Sequence, residues 1–501
     1  MTRRSGVLLP IFSLPSNYGT GCFSREARGF ADKLADAGQS CWQVLPLGPV
    51  KGWNSPYQTS SCFAGNPYFI DPDTLYAKGL LSKKELASIP YCSGSFVDYS
   101  MIKRDRSVTL RRAYAMFRPT VEFEKFCSEN AYWLDDYALF TALSFHFKTM
   151  AWNRWEDPIR RRRPDAVEKY SNLLREDIEF RKWTQFEFFE EWRGLSSYAR
   201  DRGVEFIGDI PFYAAYESSD CWSRPELFAL DGDDVPSAVA GCPPDAFSPA
   251  GQIWDNPLYN WDHMRKDGFE WWLSRIEHNF KYFDTVRLDH IRGFKAYYSI
   301  PADSCDAADG HWIDGPGDDL FDAITGRFTD LHIIAEDLGH ITPEVRALTD
   351  KYHIPGMKVL QFAFDSGRTN PYLPDNTDRN SVVYTGTHDN DTTLGWWETL
   401  DTKRKKRAFK YLGRPTDADA AVDRMIETAF AGKADICMIP MQDHLHLGRD
   451  ARINMPGVPD GNWRWRMAPG AFDDELAARI SALTRKYGRA SMEDEQKWKK
   501  R

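Results

Sequence analysis

The chain has 501 residues, enough for one large barrel with insertions or for several domains. Its 64 basic and 73 acidic side chains are mixed along most of the length and leave a net charge of −9, which excludes the concentrated basic face that nucleic-acid binding needs. Nine cysteines, an odd number with no CxxC pair, argue against a disulfide framework or a zinc cluster and for a reducing, cytoplasmic setting.

At the start, Arg3 and Arg4 precede an apolar stretch that is too short for a signal core and is interrupted by Pro10. No run elsewhere approaches the roughly eighteen apolar residues of a membrane span. Residues 7–10 read as a first strand, followed by a helix capped by Ser24, with Phe30, Leu34 and Ala37 on its apolar face and Gly38 as its stop. A second strand at 41–47 completes a unit with parallel logic. Residues 52–70, GWNSPYQTSSCFAGNPYFI, are dense in turn formers and aromatics and follow no period, as expected of a functional loop. From 82 to 202 the pattern is mostly helical, with Phe180, Trp183, Phe186 and Phe189 as an example. The basic block 160–163 reads as a solvated turn before Pro164.

A third strand at 204–210 leads into a second irregular stretch that lasts to Trp261, then a helix with Phe269, Trp272, Ile276 and Phe280 at helical spacing. Strands follow at 285–289, 331–336, 358–364, 381–387 and 434–440, with a helix after the second of these opened by Thr342 and Pro343. Eight β-rich runs alternating with helical patterns predict an α/β fold, a (β/α)₈ TIM barrel. The expected organisation is a single catalytic domain over 1–501, with a largely helical insertion at about 48–203 after strand 2 and another at about 212–262 after strand 3. The tail beyond Leu483 reads as charged helix or disorder.

In such barrels chemistry collects at the carboxyl ends of strands. The fourth strand lies in TVRLDHIRGF, where Arg287 and Asp289 share one face, and a cation so placed stabilises a neighbouring carboxylate anion. An isolated Arg-x-Asp is most often an ion pair of the architecture. Here the fifth strand ends at Glu336 and the seventh at His388 and Asp389, so three carboxylates meet at one rim. That set suits exchange of a glycosidic bond, which needs a carboxylate to attack the anomeric carbon and a second carboxyl group to protonate the leaving oxygen. Asp289 fits the first role. Glu336 follows the apolar run Ile333, Ile334 and Ala335, and desolvation would raise its pKa as a working acid requires. Its neighbour Asp337 should face the other way. Asp389 is left to stabilise an oxocarbenium-like transition state. The 18 Trp, 22 Tyr and 31 Phe include a surplus over core needs that suits a groove where pyranose faces stack on rings.

RLDH, AEDLG and THDN in this order resemble the catalytic segments of the α-amylase clan. The chain as a whole is similar to the amylomaltase, or 4-α-glucanotransferase, family through GVLLPIFSLPSNYGTG, SPYQTSSCFAGNP, IGDIPFY, PPDAFSPAGQIWDNPLYNW, GTHDNDTT, RINMPG and GNWRWR. The resemblance implies Asp289 as nucleophile, Glu336 as general acid/base and Asp389 as transition-state stabiliser. It further implies Tyr57 stacked on the sugar at the cleavage point, Arg287 and His388 in contact with that sugar or the nucleophile, and Asp209, Asp245, Gln252, Trp254, Asn256 and Asn462 along the groove. Each of the groove residues also has an architectural alternative: Asp209 as an anchor for Arg287, Trp254 as core, Asn462 as a turn cap. No cofactor or metal is required, and the partners implied are α-1,4-glucan and maltooligosaccharide donors with glucose or glucan acceptors. A retaining α-glucan hydrolase with the same carboxylates, or a non-catalytic glucan-binding barrel, is the alternative. The third-strand segment lacks the Asn-His pair of ordinary α-amylases, and Asp255 stands where the family often has Gly. His444 and His446 have spacing suited to metal, but the family motif needs none and a surface loop is expected there.

Overall fold

A computed structural model describes residues 3–51, 54–244, 248 and 250–490. Its strands are β1 (Arg4–Leu8), β2 (Cys41–Gln43), β3 (Glu205–Ile210), β4 (Ala238–Cys242), β5 (Gln252–Pro257), β6 (Thr285–Leu288), β7 (Ala296–Pro301), β8 (His311–Asp314), β9 (Ile333–Ala335), β10 (Gly356–Val359), β11 (Ser381–Tyr384) and β12 (Ile436–Pro440). Eight of them close into a parallel barrel in the order β1-β12-β11-β10-β9-β6-β3-β2. These are the eight runs expected from the sequence.

The alternation of side chains along each strand sorts the barrel into two surfaces. Ile207, Ile334, Met357, Val382, Ile436 and Met438 belong to a buried cluster that fills the interior. On the same strand faces, nearer the carboxyl ends, come Gln43, Asp209, Arg287 and Tyr384, and Tyr384 donates a 2.9 Å hydrogen bond to Gln43. The outward residues meet the helices: Trp42 packs on Phe30 at a ring separation of 4.7 Å and Phe206 on Trp192 at 4.6 Å. The interior is thus apolar at its floor and polar where the strands end.

Several strands are shorter than the apolar runs that predict them. The run 41–47 pairs only as far as Gln43, and 358–364 passes from β10 into a 3₁₀ turn at Leu360–Phe362. Leu360 and Phe364 are nonetheless buried, in a cluster with helix residues such as Val422 and Phe430. Burial against helices beyond the rim produces the same apolar pattern as pairing.

The segment between β2 and β3 holds the helices Tyr99–Met116, Val121–Glu129, Ala131–His146 and Arg175–Arg200. The last of these buries Trp183, Phe186, Phe189, Trp192 and Leu195 and packs against β3 and the helix Arg25–Asp36, so it occupies the place of the barrel's own crossover helix. The basic block at 160–163 is a turn in which Arg161 and Arg163 are solvated but Arg160 and Arg162 are engaged. Arg160 pairs with Asp234 at 3.4 Å, and Arg162 pairs with Asp136 while lying 4.4 Å over the ring of Trp222.

A four-stranded antiparallel sheet, β5-β4-β7-β8, joins the segments that follow β3 and β6. From its sequence the stretch up to Trp261 is expected to be irregular. Its strands are hidden because β4 and β5 slip register between Val239 and Gly241, and because Gly241 lies so close to Gln252 that an added Cβ would be 2.2 Å from its carbonyl oxygen. The region of His444 also departs from a surface loop. His444 ends the short helix Met441–His444 and is buried, with its pKa pushed down to about 3 by burial, while His446 sits between Asp419 and Asp423 at 3.2 and 3.0 Å. Arg489, in the expected tail, is buried and donates to Phe430 and Arg4 carbonyls at 2.8 and 3.0 Å. Among the described residues no helix is long and apolar enough to cross a membrane.

Closure of the barrel at β1 depends on a missing side chain. A Cβ on Gly6 would lie 2.3 Å from the Cys41 carbonyl oxygen, and ladder backbone cannot yield. Gly6→Ala is expected to cost about 1–3 kcal/mol, as overpacking does, seen as a lower urea midpoint at unchanged slope.

Candidate active site

The strand register brings the site together. β3 and β6 place Asp209 opposite Arg287, and β6 and β9 place Leu288 opposite Ala335. The next residues, Asp289 and Glu336, therefore occupy adjacent rim positions on strands about 4.8 Å apart. Their backbones stay in the ladder: Asp289 N–H donates to the Ile210 carbonyl and Glu336 N–H to that of Leu288, both at 3.0 Å.

Arg287 lies inside the barrel between two carboxylates. Its Nη1 is 2.8 Å from both oxygens of Asp209, its Nη2 is 2.9 Å from Asp289 Oδ1, and its Nε is 3.5 Å from Met357 Sδ. The side chains of Asp209 and Arg287 are 0% and 4% exposed, whereas that of Asp289 is 25% exposed. Burial works against the Arg287 charge, but Asp209 and Asp289 outweigh it and hold the guanidinium protonated. Tyr57 completes the shell of Asp209 with a 2.7 Å hydrogen bond from its hydroxyl.

Glu336 is held by main-chain donors, accepting from His290 N–H at 2.8 Å and Leu338 N–H at 2.9 Å. His290 adopts a left-handed φ of 49°, a conformation rare for a residue with a side chain, at the turn that delivers this N–H. Burial first and the charge of Asp289 second push the Glu336 carboxyl up to about 8, despite the two N–H donors and Arg287. Asp337 takes the other side, accepting from Met357 N–H at 2.6 Å and facing Lys358 at 3.6 Å.

Across the rim, Asp389 accepts a 2.6 Å hydrogen bond from Asn454 Nδ2 and lies 3.3 Å from His388 Nε2. Tyr57 and His388 stack with ring centres 5.3 Å apart and 14° between planes, and Trp463 closes against both. Asp289, Glu336, Asp389, Tyr57, Arg287 and His388 all border one open groove of about 1300 Å³. This exceeds the roughly 300–1,000 Å³ of a small-molecule pocket and suits an extended ligand.

Gln252, Trp254, Asn256 and Asn462 line the same groove. Trp254 stands at 88° to the His290 ring, and its Nε1 donates to Gln252 at 3.1 Å. The amides of Asn256 and Asn462 are engaged by the protein: Asn256 bonds Ala214 and Gln58, and Asn462 closes its own loop onto Met455 and Val458. Asp209 sits beneath the groove, behind Arg287, and Asp245 lies outside the described residues. Asp255 has φ 59°, a conformation that Gly adopts without cost and that Asp is among the few other residues to tolerate. Asn454 and Gln58 join the site without a sequence signal of their own, although each lies inside a segment that carries the resemblance, RINMPG and SPYQTSSCFAGNP. The main-chain donors of His290 and Leu338 leave no mark in a sequence. Among the described residues no cluster of His, Cys, Asp and Glu is arranged to hold a metal ion.

A family profile described as 4-α-glucanotransferase matches residues 9–472. The chain belongs to this 4-α-glucanotransferase family, glycoside hydrolase family 77. It is 44% identical to the 4-α-glucanotransferase of Clostridium butyricum over 484 residues, 96% of this chain and 99% of that one. It is 42% identical to that of Thermus thermophilus over 495 residues, 96% and 98% of the two chains. The crystal structure of the Streptococcus agalactiae amylomaltase in complex with acarbose superposes with a TM-score of 0.94 at 38% identity, over 98% of this chain and 100% of that one. The amylomaltase of Corynebacterium glutamicum, at 18% identity, shares the fold with a TM-score of 0.80 over 96% of this chain and 75% of that one. The activity of this glucanotransferase is transfer between 4-α-glucans.

The buried ion pair yields a stability test. Arg287→Ala strands Asp209 in the interior and is expected to cost about 3–5 kcal/mol, whereas the double substitution Asp209→Asn with Arg287→Met should recover more than half of that loss. Chemical denaturation of the two variants checks the difference.

Proposed function

We propose that Asp289, Glu336 and Asp389 carry out retaining transfer of α-1,4-glucan segments. In the first step an Asp289 oxygen attacks the anomeric carbon as the bond from that carbon to the leaving 4-oxygen breaks, and Glu336 gives its proton to that oxygen. In the second step the Glu336 carboxylate takes the proton of an acceptor's 4-hydroxyl, whose oxygen displaces Asp289 from the same carbon. Two inversions retain the anomeric configuration. Asp389, oriented by Asn454 and backed by His388, supplies negative charge where positive charge develops on the ring.

The observation that carries this reading is the pairing of Asp289, ion-paired to Arg287, with Glu336, which is pushed to about 8 at the adjacent rim position. One carboxyl is placed to attack and the other to donate a proton. Tyr57 offers a ring at the point of cleavage, Trp254 a second further along, and Asn256 and Asn462 shape the walls. Donors are α-1,4-glucans and maltooligosaccharides, and acceptors are glucose or glucans. The odd cysteine count without a CxxC pair supports a reducing, cytoplasmic location.

Maltotriose as sole substrate is expected to give glucose together with a ladder of longer maltooligosaccharides; glucose and maltose alone would mean hydrolysis and contradict transfer. Asp289→Asn should abolish turnover with an unchanged melting curve, and Glu336→Gln should lower it about 10²–10⁴-fold, the usual contribution of a positioned acid/base. Because Glu336 must hold its proton in the first step, the glycosylation rate should fall as pH rises through about 8. An alkaline limb that is unmoved in Glu336→Asp would assign that proton elsewhere.

A further inference from the structure

One charge in the groove is left unused by this chemistry. Arg292 opens the short helix Arg292–Lys295, is only 7% exposed, and has its guanidinium carbon 3.7 Å from the centre of the Trp312 ring. Its Nε is buried without a hydrogen-bond partner, and among the described residues no carboxylate ion-pairs with it. Burial draws its pKa down, opposed only by Glu344, an exposed residue on the next helix. Other buried arginines use at least part of the fork on the protein. Arg466 bonds the Ser16 carbonyl at 2.6 Å, Arg489 that of Phe430 at 2.8 Å, and Arg275, whose Nε is also without a partner, that of Pro211 at 2.7 Å.

A cation–π contact uses the flat face of a guanidinium, while its five N–H donors radiate in the plane. Trp312 therefore fixes the orientation of Arg292 and leaves its donors unspent. Arg292 and Trp312 both border the groove. A buried donor without a partner costs stability, and such a cost is kept where a ligand completes the bonding.

The position of Arg292 gives the side. Ile291 N–H donates to the Glu336 carbonyl at 3.2 Å, and the Arg292 helix packs on Pro343–Lys351, which follows Glu336. A general acid stands on the side of the leaving group, which is also where the acceptor enters. Trp312 lies on β8, an edge strand of the antiparallel sheet outside the barrel, and not at the end of a barrel strand as Asp289 and Glu336 do.

We propose that Arg292, held flat on Trp312, is an acceptor-side binding residue whose guanidinium fork takes two neighbouring hydroxyls of the second or a later glucose unit, giving oligosaccharide acceptors an advantage over glucose. This rests on the reading of Glu336 as the acid/base.

The test uses α-maltotriosyl fluoride blocked at its terminal 4-hydroxyl as donor. Fluoride leaves without occupying the acceptor side, so the second step alone reads Arg292. Arg292→Met is expected to lower kcat/KM for maltotriose as acceptor about tenfold to a hundredfold more than for glucose, the scale of charge-assisted hydrogen bonds. Arg292→Lys, which keeps the charge but loses the fork, should fall between. The melting temperature of Arg292→Met should hold or rise, because no acid loses its partner. Equal losses for glucose and maltotriose, or a lower melting temperature with a uniform loss, would overturn the proposal. Failure of the Glu336 reading shows separately, as wild-type resolution of the intermediate by Glu336→Gln with either acceptor.

Discussion

Two carboxylates sharing one guanidinium set the geometry on which the rest of this site depends. Arg287 sits inside the barrel, where only other barrel strands can satisfy it, and Asp209 meets it from the paired position on β3. Asp209 uses both oxygens on one nitrogen, which leaves Nη2 for Asp289. The charge thus passes from a closed interior to an open groove along a single side chain. Two charges removed from water carry a desolvation penalty that their attraction repays only with good geometry and full hydrogen bonding. Tyr57 supplies the remaining bond to Asp209, so the ring that offers itself to a sugar is also part of the ion pair's support.

From that arrangement the two rim carboxyls diverge. Asp289 is partly exposed and tied to a cation, whereas Glu336 is enclosed behind the apolar end of β9 with an anion beside it. Desolvation and a like charge both favour its protonated form. The same strand register that makes them neighbours makes them unlike. The left-handed turn at His290 belongs to this device, since it brings a main-chain donor to Glu336 directly after Asp289. Asp389 is oriented from a different source, the loop that carries Asn454.

What could be read from the sequence follows from where the physics is local. Alternation and helical period locate all eight barrel strands, and the strand ends put Asp289, Glu336 and Asp389 at one rim. The antiparallel sheet was hidden, because its strands are short, broken by Gly and Pro, and paired across segments far apart in the chain. Trp312 and Arg292 escaped for the same reason: one is a β8 residue with no visible period, and the other reads as one more charge in a familiar motif. His444 is expected in a surface loop, yet it is buried and its carbonyl accepts from Arg479. Asn256 and Asn462 sit in motifs that line the groove, but which way an amide turns is decided by backbone partners that a sequence does not display.

The chemistry of this site depends on the environment of Glu336, with Asp289 at its side, keeping this one carboxyl protonated near neutrality. Infrared difference titration of the free enzyme, with the Glu336 band identified by its loss in Glu336→Gln, measures that state directly. The expected result is a carboxylic acid that ionises at about 8, and at lower pH once Asp289 is replaced by Asn. A Glu336 carboxylate already ionised at pH 6, or one whose ionisation is indifferent to Asp289, would contradict it.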